Sequence, residues 1–500
     1  MNEHENGGEG MKKKILPMLG IVALVAVVIG VLAIGGLAAE KPMQVGYAIV
    51  NVMPKESGLP LGGYGNTSER LSDNSLTKDP WDMLKASCVA ITDGQGNTVL
   101  LIGMDEVRAQ EIVVATARRK INWATGIPED HIMINATHTH SAPDLGSNVT
   151  KIHNYVDQLS DCLRDAAVEA VADREEIDKM QGGSIQTEGL NWVRHYTYKD
   201  SKGNLQYFGD SFGTVTINST TKHVIEPDRT LHVLQFTRKN GKQPVVLVNF
   251  RMHPHSQGSA TDLKPTADVI GTFRYAMENQ GYLVSYYQGA AGMINSGSRL
   301  STDKRYTKEQ YVQYGEKMAE YVMKCPLKDL TPGVIKTVQY QYVGTTNRNQ
   351  DELYEAAKVC AGIWSDPTQG DLTTRRKLIQ EKGFRSPYQC NAITTRHNLP
   401  DHLTMELDAI TIGKAVEIST TPFEMFHETS MWLEQQMRGT YQLSMSFGYT
   451  NGHMSYVPTH TVWKYTSYET DISYWQEGTA EDVVYTICDM LGVSHKEDCP

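Results

Sequence analysis

The sequence predicts one large α/β domain of mixed sheets and helices, on three grounds. Apolar runs of strand length, such as Ile132-Met133-Ile134 and Val245-Val246-Leu247-Val248, alternate with amphipathic stretches of helical length. No internal repeat, low-complexity linker or break in composition divides the chain after residue 40. With 40% hydrophobic residues in a chain of 500, there is material for a single large core.

The first forty residues stand apart. Residues 1–10 are polar and glycine-rich, and Lys12-Lys13-Lys14 then precede an uncharged apolar stretch of 25 residues, Ile15 to Ala39. That length spans a hydrocarbon core of roughly 30 Å as a helix, whereas the apolar region of a cleavable signal peptide runs to about 7–15 residues. The expected layout is a polar tail over 1–10, a transmembrane anchor or signal peptide over 11–40, and an exported domain over 41–500. An uncleaved anchor keeps the lysines in the cytoplasm and the domain outside. Cleavage at the alanine-rich end, Leu37-Ala38-Ala39, secretes the domain instead.

The net charge of −11 argues against a nucleic-acid partner, and no P-loop or dinucleotide glycine pattern follows a strand. The seven cysteines include no C-x-x-C pair, which argues against a thiolate zinc ribbon. Outside the cell, Cys488 and Cys499 are the pair expected to bridge.

Taken in order, Gln44–Val52 reads as a strand, followed by a glycine-rich loop over 57–66 suited to close backbone approach. Cys88–Thr92 and Val99–Gly103 are strands around Asp93-Gly94, a hairpin signal. Ala109–Trp123 is helical and stops at Gly126-Ile127-Pro128. A strand ending near Ala136 comes next, then a helix over Tyr155–Arg174. The segment 183–215 reads as strand and loop, and Thr230–Phe236 and Pro244–Phe250 flank a second hairpin signal at Asn240-Gly241. Helix 271–280, strand 282–287 and helix 308–324 follow. The polar region 335–405 reads as strand with helical excursions. A strand over 407–419, a helix over 424–437, a loop over 448–460 and a helix over 479–491 complete the chain.

The chemistry concentrates in Ile132-Met133-Ile134-Asn135-Ala136-Thr137-His138-Thr139-His140-Ser141. In an extended chain residues i and i+2 point the same way, so His138 and His140 share a direction. Neutral imidazole is both a common metal ligand and a proton shuttle. The arrangement recurs: the run to Phe250 leads to His253 and His255, and Ala415–Ser419 leads to Glu424. Ligands delivered from strand ends onto one rim build a hydrolytic metal site. Against this, His138 and His140 taken alone read as turn histidines, and Glu424 as the first-turn acid of a helix. His427-Glu428 starts a zincin motif that fails at Met431, and Asp105 and Asp268 read as structural carboxylates.

Gly63-Tyr64-Gly65, Ala136 to Pro143, Asn249 to Pro254, Gln288 to Gly292, Pro422-Phe423-Glu424, Gly448 to Asn451, Tyr456 to Thr459 and Tyr468-Glu469 occur in an order that resembles the neutral/alkaline ceramidase family. The likeness runs from about residue 44 to the C-terminus, without the immunoglobulin-like domain that follows the catalytic domain in that family. It implies a zinc ion held by His138, His253, Glu424 and Tyr456, with His140, Arg194 and Tyr468 against the scissile group. It favours His253 over the rival His255 because the ligand precedes a proline. Such a zinc site keeps a position for water, lowers that water's pKa to about 7, and cleaves amides. Tyr468 and Arg194 then stabilise negative charge on the carbonyl oxygen, and His140 moves the proton.

One segment departs from the family: Gly292-Met293-Ile294-Asn295 stands where ceramidases carry Gly-Asp-Val-Ser. The change alters the wall of the site without removing a ligand. The function expected is a zinc-dependent amidohydrolase acting on a linear, amphiphilic N-acyl amide, ceramide or another lipid amide. Alternatives on the same fold are an esterase, a hydrolase of non-lipid amides, and a surface binding protein without turnover.

Overall fold

The computed structural model describes residues 41–64, 69–209, 219–256, 262–297 and 306–495. The expected tail and anchor over 1–40, and Cys499, lie outside the described residues. Among those described, no helix is long and apolar enough to cross a membrane.

The larger sheet is built from β1 (Gln44–Asn51), β2 (Lys85–Thr92), β3 (Thr98–Met104), β4 (Ile132–Ala136), β5 (Glu175–Gln186), β6 (Thr230–Arg238), β7 (Val245–Phe250), β8 (Leu283–Gln288) and the short β9 (Lys328–Leu330). Its order is β8-β7-β6-β5-β1-β2-β3-β4, with β9 on β5. The β3–β4 and β7–β8 pairs are parallel; the other pairs are antiparallel. A second sheet orders β10 (Ile335–Thr345), β11 (His402–Ile412), β12 (Val416–Thr420) and β13 (Leu443–Phe447), with β12 and β13 parallel.

The two sheets pack face to face. Val89, Ile91, Leu101, Val245 and Leu247 from the first meet Ile410, Val416, Ile418 and Met445 from the second, and the rings of Tyr287 and Phe447 stack at 4.5 Å. The alternate residues point outward beneath helices. Ala86, Cys88, Leu100 and Ile102 lie under α1 (Glu111–Thr125) and α2 (Thr150–Ala172). Val246 and Val248 lie under α3 (Asp268–Glu278) and α4 (Lys308–Lys324). Burial on both faces is why these strands read as unbroken apolar runs. In α2 the apolar stripe Ile152, Tyr155, Leu159, Leu163 and Ala166 recurs at helical spacing. A left-handed Gly126 ends α1 by donating to the Asn122 carbonyl.

Two buried asparagines, Asn135 near the end of β4 and Asn249 near the end of β7, bind the strand ends into a rim. Asn135 Nδ2 donates to the Gly448 carbonyl at 2.6 Å and the Gln288 carbonyl at 3.3 Å, and Asn135 Oδ1 accepts from Gln288 N at 2.8 Å. Asn249 Nδ2 donates to the carbonyls of Tyr287 (3.0 Å) and Ser446 (3.1 Å). The C-terminal ends of β4, β7, β8 and β13 therefore meet in one place.

The architecture differs from expectation in two stretches and follows it in a third, 335–405, read as strand with helical excursions. The strand expected over 407–419 is two antiparallel strands, β11 and β12, turned at Gly413 (φ 55°). The expected helix over 424–437 begins only at His427; Glu424–Met425 is a short strand, and α8 is His427–Met437. Region 335–405 holds β10 and then α5 (Tyr354–Ser365), α6 (Leu372–Glu381) and α7 (Pro387–His397), which bury Ala357, Cys360, Trp364, Ile379, Phe384, Cys390 and Ile393 in a small core of their own. Their Gly, Pro and polar residues break up the helical period in the sequence. Beyond α8 come α9 (Tyr468–Ile472) and α10 (Thr479–Met490), the latter carrying the buried Cys488.

Candidate functional site

His138 does not extend β4. The strand stops at Ala136, and His138 takes up a left-handed conformation (φ 65°) with its N–H on the Glu106 carbonyl at 2.9 Å. The premise that His138 and His140 point alike along an extended chain is thus wrong. Their rings nevertheless meet, with Nε2 to Nε2 at 3.2 Å. A left-handed non-glycine costs of order 1–3 kcal/mol, and such strain clusters at functional sites.

The ring orientations follow from what the other nitrogens do. His138 Nδ1 lies 2.6 Å from the Val107 carbonyl and His253 Nδ1 lies 2.9 Å from the Ile294 carbonyl. A carbonyl only accepts, so each Nδ1 carries the hydrogen, which leaves Nε2 as the nitrogen turned inward with a lone pair for a metal. Both Nε2 atoms lie 3.4 Å from the same oxygen, Glu424 Oε2. The Tyr456 hydroxyl lies 3.3 Å from His253 Nε2. His138, His140 and His253 each offer a nitrogen, all within 4.8 Å of one another. Two inward lone pairs, a carboxylate and a phenol form an N/O donor set that suits zinc, and His140 adds a third imidazole beside them.

Burial pushes His138 well below the ordinary imidazole range. Burial acts on Glu424 in the opposite sense, but the surrounding imidazoles of His138, His253 and His453 outweigh it and hold the carboxyl well below its usual range. His140 also sits well below its ordinary value, through burial and then through His138, His255 and His253. Burial drives the Tyr456 phenol upward, and the Glu424 charge adds to this.

Arg194 is buried and locked. Nε donates to Glu469 Oε1 at 2.7 Å, Nη1 to Asn295 Oδ1 at 3.2 Å, and Nη2 to the Gly292 carbonyl at 2.8 Å and the Tyr456 hydroxyl at 3.3 Å. The guanidinium therefore bears directly on Tyr456. The Tyr468 ring lies 5.8 Å from that of Tyr456 and 5.5 Å from that of Tyr388 on α7. All seven residues singled out in the sequence thus converge on one region. His255 stands behind, its ring 5.4 Å from His140 and 5.9 Å from His253. Asp105 is taken up by Lys85 and Arg274, and Asp268 by Ser256 and Val269.

Two glycines let the backbone approach. A Cβ on Gly63 (φ 90°) would lie 2.5 Å from His140, and one on Gly292 would lie 2.7 Å from the Glu424 carbonyl. The Met293-Ile294-Asn295 segment carries His253 and Arg194 on its backbone: Ile294 O accepts from His253 N at 2.8 Å, and Met293 O accepts from Arg194 N at 3.0 Å.

Sequence reasoning missed His453, whose Nε2 lies 3.0 Å from Glu424 Oε1, and Tyr449, whose hydroxyl lies 3.4 Å from Glu424 Oε2. It also missed the partnership of Glu469 with His195, at 2.8 Å. Tyr449 and Glu469 fall inside motifs quoted above, and His453 lies two residues past one, but none has a spacing that marks it.

No protein-family model and no curated protein sequence matches the chain. Solved structures similar to it include two ceramidases. One is the neutral ceramidase from Pseudomonas aeruginosa, at a TM-score of 0.66 and 14% identity, covering 92% of this chain and 76% of that one. The other is a ceramidase complexed with C2, at a TM-score of 0.64 and 15% identity, covering 92% and 77%. Laid over nearly the whole of its length, the chain has a neutral ceramidase-like fold.

Proposed function

We propose that the protein is an exported, zinc-dependent hydrolase of linear N-acyl amides, with His138, His253, Glu424 and Tyr456 holding the metal. One observation carries the reading: Glu424 Oε2 sits 3.4 Å from the inward Nε2 of both His138 and His253, beside the Tyr456 hydroxyl. When bound, the ion supplies an activated water and a Lewis acid for the amide carbonyl. His140, neutral and next to His138, accepts the proton of the attacking water and returns it to the leaving amine. Tyr468 donates to the carbonyl oxygen as negative charge develops there. Arg194 keeps the Tyr456 hydroxyl in place and adds positive charge beside it.

Both structural neighbours are ceramidases, which supports an amphiphilic lipid amide as the substrate class. Met293 and Asn295 change the wall of the site, and they bear on which amide fits rather than on hydrolysis. An anchor over 11–40, or its cleavage, places the domain at the outer membrane surface or free outside the cell.

The test is turnover of a panel of fluorogenic N-acyl amides and matched esters, with and without chelator. Amide cleavage that chelator abolishes and Zn²⁺ restores is the expected result. Cleavage of esters alone, or stoichiometric zinc with no turnover, overturns it.

A further inference from the structure

We infer that His453 is a positioning residue that fixes Glu424 so that only one carboxylate oxygen faces the metal; this rests on the metal reading above. The two oxygens of Glu424 have different surroundings. Oε2 faces His138, His253 and the Tyr449 hydroxyl, each at 3.4 Å, whereas Oε1 is occupied by His453 Nε2 at 3.0 Å. A carboxylate only accepts, so His453 carries its hydrogen on Nε2. The terminal torsion of a glutamate is broad, and His453 is the donor that holds Oε1.

His453 is itself held from three sides. Its N–H donates to Glu111 Oε1 in the first turn of α1, at 3.1 Å. Its ring lies parallel to that of His138, at 6.4 Å and 13°. The loop carrying it has left-handed residues at Tyr449, Asn451 and Ser455 (φ 52°, 60° and 63°), and the Ser455 carbonyl accepts from Glu424 N at 3.1 Å. One strained loop therefore fixes both the backbone of Glu424 and the donor to its side chain. Groups that orient a metal ligand in this way are worth about 10–100-fold in metal affinity.

The experiment compares H453Q with H453M in the full-length protein. The two side chains are close in volume, and only glutamine places a donor near the position of Nε2. Zn²⁺ affinity is measured by competition with a chromophoric chelator, and metal-free melting temperature serves as the folding control. The expected result is H453M weakened about 10–100-fold, with H453Q within a few-fold of the wild type and equal metal-free melting temperatures. Wild-type affinity in H453M overturns the inference, as does equal weakening of both variants, which would make the role one of packing. A wild type that takes up no zinc instead overturns the metal reading itself and removes the basis of this one.

Discussion

Glu424 and Tyr456 face each other across a two-residue parallel ladder, Glu424–Met425 against Tyr456–Val457. Carboxylate and phenol therefore leave adjacent backbones side by side, 32 positions apart in the chain. The same phenol meets His253 and Arg194, so backbone register, the proposed metal donors and the buried guanidinium are coupled at one point.

Replacing Glu424 by Gln keeps the shape and removes the charge. E424Q and H138A are each expected to lose zinc retention and amidase activity together, by at least about 10²-fold. Metal content and turnover measured on the same preparation check this. Normal turnover by either variant refutes the assignment of that residue.

The Tyr468 ring lies 5.8 Å from that of Tyr456, one of the proposed metal donors. Y468F is expected to retain stoichiometric zinc while kcat falls about 10²–10³-fold, the usual loss on removing one donor to a developing oxyanion. Loss of zinc in this variant would make Tyr468 a ligand, and an unchanged kcat would give it no role in the chemistry.

Much of this was open to sequence reasoning because β4 and β7 are buried on both faces, so their apolar runs stop sharply where the histidines begin. The left-handed turn at His138 was not, since no residue type there announces it. Glu424 reads as a helix-entry acid because α8 starts three residues later; its true partner, Tyr456, pairs with it through tertiary register alone. His453 and Tyr449 escape for a similar reason: residues that orient a ligand have no spacing rule of their own. The α5–α7 helices are short, and their small core becomes visible only once they are folded.

Glu469 accepts from both Arg194 and His195 in full burial. Burial would raise its carboxyl, but His195 and Arg194 overcome that and hold it far below the usual range. A carboxyl lowered in the folded state contributes stability above its unfolded pKa of about 4.3, and that contribution fades as pH falls toward the folded value. E469Q leaves Arg194 buried without its counter-charge, so a loss of about 3–5 kcal/mol is expected at pH 7. Denaturant unfolding should show the gap to wild type narrowing below about pH 4. A gap that does not change with pH would contradict the pairing.

Glu417 has the opposite sign. Burial raises its carboxyl to about 8, with Ser444 Oγ donating to one oxygen. A carboxyl raised in the folded state costs stability as pH climbs from about 4.3 through the folded value. E417Q removes that cost, so it is expected to be more stable than wild type by about 2–4 kcal/mol at pH 8 and equal to it near pH 4. Melting curves at the two pH values decide the matter, and a variant less stable at pH 8 rejects it.

The central claim is that imidazoles, a carboxylate and a phenol from distant parts of the chain enclose one divalent cation. Anomalous diffraction at the zinc edge from crystals of the zinc-loaded protein tests it most directly. A single strong peak is expected about 2.0–2.2 Å from His138 Nε2, His253 Nε2 and Glu424 Oε2, with the Tyr456 hydroxyl on the same ion. A peak elsewhere, or one that excludes Glu424 and Tyr456, contradicts it.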